Sequence, residues 1–164
     1  MDSRYLDTIL NSFYKNGYEE DERLTSDKMH YVEFITTTNY IDKYLKPGDR
    51  ILEIGAGAGA YSLHYAKKGF QVDALELVQA NVDVMKSKIT DDMNINAIQG
   101  NALDLSMYED NTFDITLSLG PLYHLFKPEE TNKAIEEAIR VTKPGGKIYF
   151  AFILFDLTML TWGF

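Results

Sequence analysis

The sequence predicts an open α/β sheet of parallel strands wound with helices on both faces. Three observations predict it. A short apolar run, Ile51–Ile54, ends in glycines at alternate positions, Gly55, Gly57 and Gly59. From Arg50 onward, strand-length apolar runs alternate with segments of helical periodicity, the pattern of parallel strands joined by right-handed crossovers. The residues that carry chemistry fall just past the strand ends, where such sheets bind ligands.

Ahead of the sheet, Tyr5, Leu6, Ile9, Leu10, Phe13 and Tyr14 form a helical stripe over Ser3–Tyr14, with Asp2 or Ser3 as cap and Gly17 as stop. Ser26–Leu45 is helical again, and Thr36-Thr37-Thr38 offers a fresh cap, which predicts two helices meeting there. Lys46-Pro47-Gly48-Asp49 is a turn into the first strand. Tyr61–Lys68 is a short helix closed by Gly69, and Phe70–Leu75 is the second strand, ending at Glu76. Val78–Lys88 is helical with Val78, Val82, Met85 and Ile89 on one face, and Ile95–Gln99 is the third strand. Phe113–Leu119 is the fourth, with Phe113, Ile115, Leu117 and Leu119 on one side. Pro128 opens a helix whose first turn carries Glu129 and Glu130, where the dipole favours acid. It runs to about Thr142 and stops at Lys143-Pro144-Gly145-Gly146, and Lys147–Phe155 is the fifth strand. The chain reads as one domain, with residues 1–46 a helical lid or extension and 47–164 the core.

Composition narrows the function classes. The 164 residues can bury one sizeable core. With no cysteine, disulfides and thiolate chemistry are excluded, and His30, His64 and His124 lack metal-ligand spacing, so no metal is expected. A formal net charge of −9 argues against nucleic acid as partner and suits a cationic ligand or simply solubility. The apolar run Ile148–Phe155 is too short to span a bilayer, and MDSRYLDTIL has no secretion-signal pattern, so no membrane and a cytoplasmic location are the expectation.

The turn Gly55-Ala56-Gly57-Ala58-Gly59 lets backbone approach a ligand, and the following helix points free N–H groups at it. Alone, it also fits a tight turn with no ligand. Glu53 precedes it on the strand, and Glu76 ends the second strand, where a carboxylate can accept from a ribose diol or serve as a helix cap. Leu77 offers an apolar face to an adenine ring. Asn101 can accept from an exocyclic amine and the Ala102 N–H can donate to a ring nitrogen, although asparagine equally suits a turn.

Taken as a set, these residues resemble the class I S-adenosylmethionine-dependent methyltransferases of the small-molecule type, with their Rossmann-like core. The matching pieces are Glu53-x-Gly55-x-Gly57-x-Gly59, Glu76, Gly100-Asn101-Ala102-Leu103-Asp104, Phe113-Asp114 and Lys143-Pro144-Gly145-Gly146, spread over Tyr31 to Phe155. Leu122–Leu125 resembles a branch with a Leu-Tyr-His-Leu segment after the fourth strand. The resemblance implies that Gly55, Ala56, Gly57 and Gly59 lie against the methionine part of S-adenosylmethionine, with Glu53 steadying its ammonium. It further implies Glu76 on the ribose, Leu77, Asn101 and Ala102 on the adenine, and the Leu119 carbonyl facing the methionine amine. Asn101 stands where the family more often has Asp.

The implied reaction is in-line displacement of methyl from a sulfonium to a small-molecule acceptor, leaving S-adenosylhomocysteine; it needs alignment and exclusion of water. A base is required only for a protonated acceptor. His124 is the candidate and Tyr123 the next, while His124 equally fits a histidine packing a lid. His64 is expected on the outer face of its helix and His30 in core or lid. Arg23 could reach over the crevice or form a surface ion pair, and Tyr14, Tyr18 and Tyr31 could cover the cofactor or simply belong to the core. The rival enzyme class is an NAD(P)-dependent oxidoreductase, since Gly55-x-Gly57-x-x-Ala60 fits a dinucleotide fingerprint and Tyr123-x-x-x-Lys127 mimics a dehydrogenase pair. Pro128 argues against that pair, because the residue before proline avoids the helical conformation. The family's sheet continues past its fifth strand with a helix and an antiparallel strand pair, which Asp156–Phe164 cannot supply. The chain is therefore expected to be a piece of a longer protein, with a cofactor-binding module without activity as the alternative function, or to cover the open fifth-strand edge with a second copy as a homodimer.

Overall fold

The computed structural model describes residues 28–152. The Ser3–Tyr14 helix, Arg23, Tyr14, Tyr18 and the chain past Phe152 lie outside the described residues. Helix α1 (Lys28–Asp42) leads into β1 (Arg50–Ile54), α2 (Ala60–Lys67), β2 (Gln71–Glu76), α3 (Gln79–Ser87), β3 (Ile95–Gln99), β4 (Phe113–Ser118), α4 (Pro128–Val141) and β5 (Thr142–Phe150). A single 3-10 turn, Pro121–Tyr123, lies between β4 and α4. The five strands form one sheet in the order β3-β2-β1-β4-β5, parallel throughout. The order reverses at β1, because β2 leaves to one side of it and β4 returns to the other.

Strand alternation sorts the core into two layers. On one face Ile51, Val72, Ile115 and Leu117 pack with Ile41 of α1 and Tyr61, Tyr65 and Ala66 of α2. Beside them Ala74 and Ala97 meet Leu63 of α2 and Met85 of α3. On the other face Leu52, Ile54 and Leu75 pack with Ala138 and Val141 of α4. Leu105 and Tyr108 join this second layer from the connection between β3 and β4, which among the described residues is built of turns rather than a helix.

That connection is fastened by side chains of α4. Arg140 donates from Nη2 to the Leu105 carbonyl and from Nη1 to the Tyr108 carbonyl, both at 2.9 Å. Glu137 accepts the Leu105 N–H at 2.9 Å and pairs with Arg140 at 2.8 Å. At the amino edge, Asp73 accepts from Arg50 Nη2 at 2.8 Å and from Asn96 at 3.1 Å, tying β1, β2 and β3.

Four expectations are corrected. The Thr36–Thr38 run does not split the helix: α1 passes through it as one element. The Thr38 hydroxyl donates back to the Phe34 and Ile35 carbonyls at 2.9 and 3.1 Å, so it is satisfied inside the helix instead of capping a new one. β5 begins at Thr142 rather than Lys147, directly after α4. The Thr142 hydroxyl meets that of Thr116 at 2.7 Å, and Lys143 pairs with Asp114 at 2.8 Å, which holds this entry against β4 while Lys143–Gly146 forms a register irregularity. That irregularity falls between Phe113 and Ile115, and Phe113 packs with Tyr108 on the opposite layer from Ile115 and Leu117. Finally, His64 does not face outward. It is half-buried under α1, with its ring edge-on to Phe34 at 5.2 Å.

Candidate functional site

The parallel strands send four loops out from one edge of the sheet. Register places Ile54 beside Leu75, Glu76 beside Gln99, and Glu53 beside Leu117. The Gly55 turn, Glu76–Val78, Gly100–Ala102 and Leu119–Tyr123 therefore leave their strands side by side. Backbone bonds lock them together: the N–H groups of Gly55 and Ala56 share the Leu75 carbonyl at 2.8 and 3.0 Å, and Gly100 N–H donates to the Glu76 carbonyl at 2.9 Å.

Glu76 is the hub of this edge. Its Oε2 accepts the Gly57 N–H at 2.9 Å and its Oε1 accepts the Val78 N–H at 2.9 Å. Asn81 of α3 donates to Oε1 from 3.4 Å. The residue is 7% exposed. Burial raises its carboxyl above the ordinary value, and the hydrogen bonds from Val78, Gly57 and Asn81 pull the other way. A carboxylate offers about four lone-pair sites, so these donors leave room for a ligand hydroxyl.

Glu53 lies on the α2 side of β1, 3% exposed. The Ser62 hydroxyl, in the first turn of α2, donates to its Oε2. Two buried carboxylates thus flank a turn whose three glycines all have positive φ, at 72°, 54° and 87°. Part of the glycine pattern serves packing. A Cβ on Gly55 would stand 2.7 Å from the Pro121 ring, and one on Gly59 would stand 2.4 Å from Met85 Cγ. The loop after β4 consequently leans on the turn, and α3 closes against the start of α2.

The remaining predicted residues are placed as follows. Leu77 is half-buried, and its carbonyl accepts from Gln99 at 3.0 Å. Asn101 Oδ1 accepts the Leu103 N–H at 2.9 Å, an Asx turn, which is the alternative the sequence allowed. Ala102 packs against the second core layer, and Leu119 against the first. Tyr123 ends the Pro121 turn and His124 follows it, both half-buried, with ring centroids 6.3 Å apart. Burial lowers the His124 pKa from 6.5, which keeps its imidazole neutral near pH 7. His30 is half-buried on α1, and Tyr31 is 54% exposed. Among the described residues no group of three or more His, Asp or Glu side chains could hold a metal ion.

The dehydrogenase-like pair does not form. Tyr123 lies in the 3-10 turn, whereas Lys127 is extended (φ −99°, ψ 128°) and pairs with Glu130 at 2.8 Å. Sequence reasoning missed Ser62, Asn81 and Pro121 and read Met85 only as part of a helix's apolar face; all four pack against or bond to predicted residues. The only signal available for Ser62 was a hydroxyl one turn beyond Gly59.

The donor set suits S-adenosylmethionine. The buried carboxylates of Glu53 and Glu76 match the ammonium and the ribose diol of that cofactor. A methyltransferase domain family matches residues 52–150, more than half of the chain. A demethylmenaquinone methyltransferase of Renibacterium salmoninarum is 41% identical over 106 residues, which are 64% of this chain and 41% of that protein. The 27-O-demethylrifamycin SV methyltransferase of Amycolatopsis mediterranei is 27% identical over 154 residues, 87% of this chain and 52% of that one. Among solved structures, a SAM-dependent methyltransferase of Methanosarcina mazei superposes with a TM-score of 0.63 at 29% identity, covering 68% of this chain and 55% of that chain. The chain spans about two fifths of the length of the demethylmenaquinone methyltransferases it matches. With the five parallel strands and the family match together, the chain belongs to the class I S-adenosylmethionine-dependent methyltransferases.

Proposed function

We propose that the crevice binds S-adenosylmethionine and that the protein transfers its methyl group to a small-molecule acceptor. One observation carries the reading: Glu53 and Glu76, both buried, flank a positive-φ turn and are held there by Ser62, Gly57 and Val78. Gly55, Ala56, Gly57 and Gly59 would lie along the methionine end, with Glu53 near the ammonium and the Leu119 carbonyl across from it. Glu76 would hold the ribose, and Leu77, Asn101 and Ala102 the adenine. When bound, the cofactor supplies an electrophilic methyl on a positively charged sulfur. The chain's own part is to orient donor and acceptor and exclude water. His124, neutral through burial, would take the proton of a hydroxyl acceptor, with Tyr123 beside it. The names of the matched relatives, a demethylmenaquinone and a demethylrifamycin methyltransferase, support a small-molecule acceptor class.

Titration calorimetry with S-adenosylhomocysteine and NAD tests this. Binding of the first at roughly micromolar Kd, about −8 kcal/mol, with no heat from the second is the expected result. Heat from NAD alone would overturn it. Cofactor binding without turnover would assign the chain as a binding module. β5 has β4 on one side and no described strand on the other, and pairing of two copies along that edge is proposed as its cover. Light scattering should then give twice 18.7 kDa; the monomer mass would refute the pairing.

A further inference from the structure

We propose that Ser62 is a positioning residue for Glu53, setting the affinity of the crevice for the amino-acid end of its ligand. The inference rests on the S-adenosylmethionine reading above. β1 sends Glu53 to the side of the sheet covered by α2, where it is 3% exposed. Ser62 is 1% exposed and lies in the first turn of α2. A helical serine commonly returns its hydroxyl to a carbonyl of the preceding turn or gives it to water. Here the hydroxyl crosses to the strand and donates to Glu53 Oε2.

The helix that supplies this donor is itself fixed. It starts from Gly59, whose αL conformation (φ 87°, ψ 26°) forms its N-cap. Tyr61, Leu63 and Tyr65, on either side of Ser62, are 4%, 7% and 0% exposed and anchor α2 to the core. Ser62 therefore cannot shift without unpacking α2, and the carboxylate that accepts from it is held in one orientation beneath the glycine turn. A fixed carboxylate loses less freedom when it meets a cationic group. Glu76 is held by other donors, Gly57, Val78 and Asn81, so loss of the Ser62 bond should leave the nucleoside end untouched.

The test compares two ligands, S-adenosylhomocysteine and 5′-methylthioadenosine, which share the nucleoside and differ in the amino-acid group. Ser62→Ala should weaken S-adenosylhomocysteine by about five- to tenfold, one hydrogen bond's worth, and leave methylthioadenosine within about twofold. Ser62→Thr should restore the ratio. Adding Ser62→Ala to Glu53→Gln should cost nothing more, since the two act as one unit. A purely structural role would lower the urea midpoint and weaken both ligands equally, and that result overturns the proposal. Unchanged binding of both overturns it too. A wild-type protein that binds neither ligand overturns the cofactor reading beneath it.

Discussion

Glu76 accepts from three protein donors before any ligand arrives, and that double duty makes its substitution informative. Glu76→Ala should weaken S-adenosylhomocysteine by roughly 1.5–3 kcal/mol, the loss of charge-assisted hydrogen bonds; calorimetry at an unchanged value would place the ribose elsewhere. Its raised pKa has a sign that can be read in solution. The folded state holds the proton more tightly than the unfolded chain, so Glu76's contribution to stability is fully present below 4.5 and is lost as pH rises through its folded pKa. Affinity for the ligand should fall on acidification through a pKa above 4.5, a step missing in Glu76→Gln. His124 shifts the opposite way from solvent histidine, since burial lowers its pKa. As a base it should make kcat/KM climb with pH through a value below 6.5 and then level off, and His124→Ala should lose about 100-fold. A loss under about threefold, with cofactor affinity intact, would return His124 to a packing role. At this scale the sequence singled out candidate residues but not their partners. Gly55 and Gly59 read as ligand contacts, yet Pro121 and Met85, distant in the chain, also demand glycine there.

The helices and strands were legible wherever local chemistry and tertiary packing agree. Pro128 with Glu129 and Glu130 marked the start of α4, and β3 spans the predicted Ile95–Gln99. The misreadings arise where a side chain finds an unforeseen partner: Thr38 bonds backward within α1, and Thr142 meets Thr116 across two strands. The β3–β4 connection is the sharpest case, because it relies on Glu137 and Arg140 of another element. Those hydrogen bonds hold the Glu137 carboxyl down to about 2, against an ordinary 4.5. The stabilisation is complete above 4.5 and is lost as pH falls toward about 2. Glu137→Ala should cost about 2–4 kcal/mol at pH 7, since it leaves Arg140 and the Leu105 N–H short of a buried acceptor. Glu137→Gln should flatten the acid limb of urea midpoints measured against pH. An equal acid slope in variant and wild type would show that the connection holds by apolar packing of Leu105 and Tyr108 alone.

For the whole molecule, parallel topology could be read from alternation, and it alone brings four loops of different sequence position to one edge. What alternation could not show is that those loops are already bonded to each other through Leu75 and Glu76, with Pro121 packed close against Gly55. A ligand in the crevice would therefore tighten a connected unit. S-adenosylhomocysteine at about 100 times its Kd should add ~2.7 kcal/mol to stability and raise Tm by roughly 5–10 °C. Hydrogen exchange distinguishes how that stabilisation is distributed. Amides of Gly57, Val78 and Gly100 should slow together, because each is bonded to Glu76. Amides near Arg50, Asp73 and Asn96, at the other edge of the sheet, should change only as far as global unfolding changes. Slowing confined to the glycine turn, with Val78 and Gly100 unaffected, would mean that the loops respond singly and that the crevice is not one binding unit.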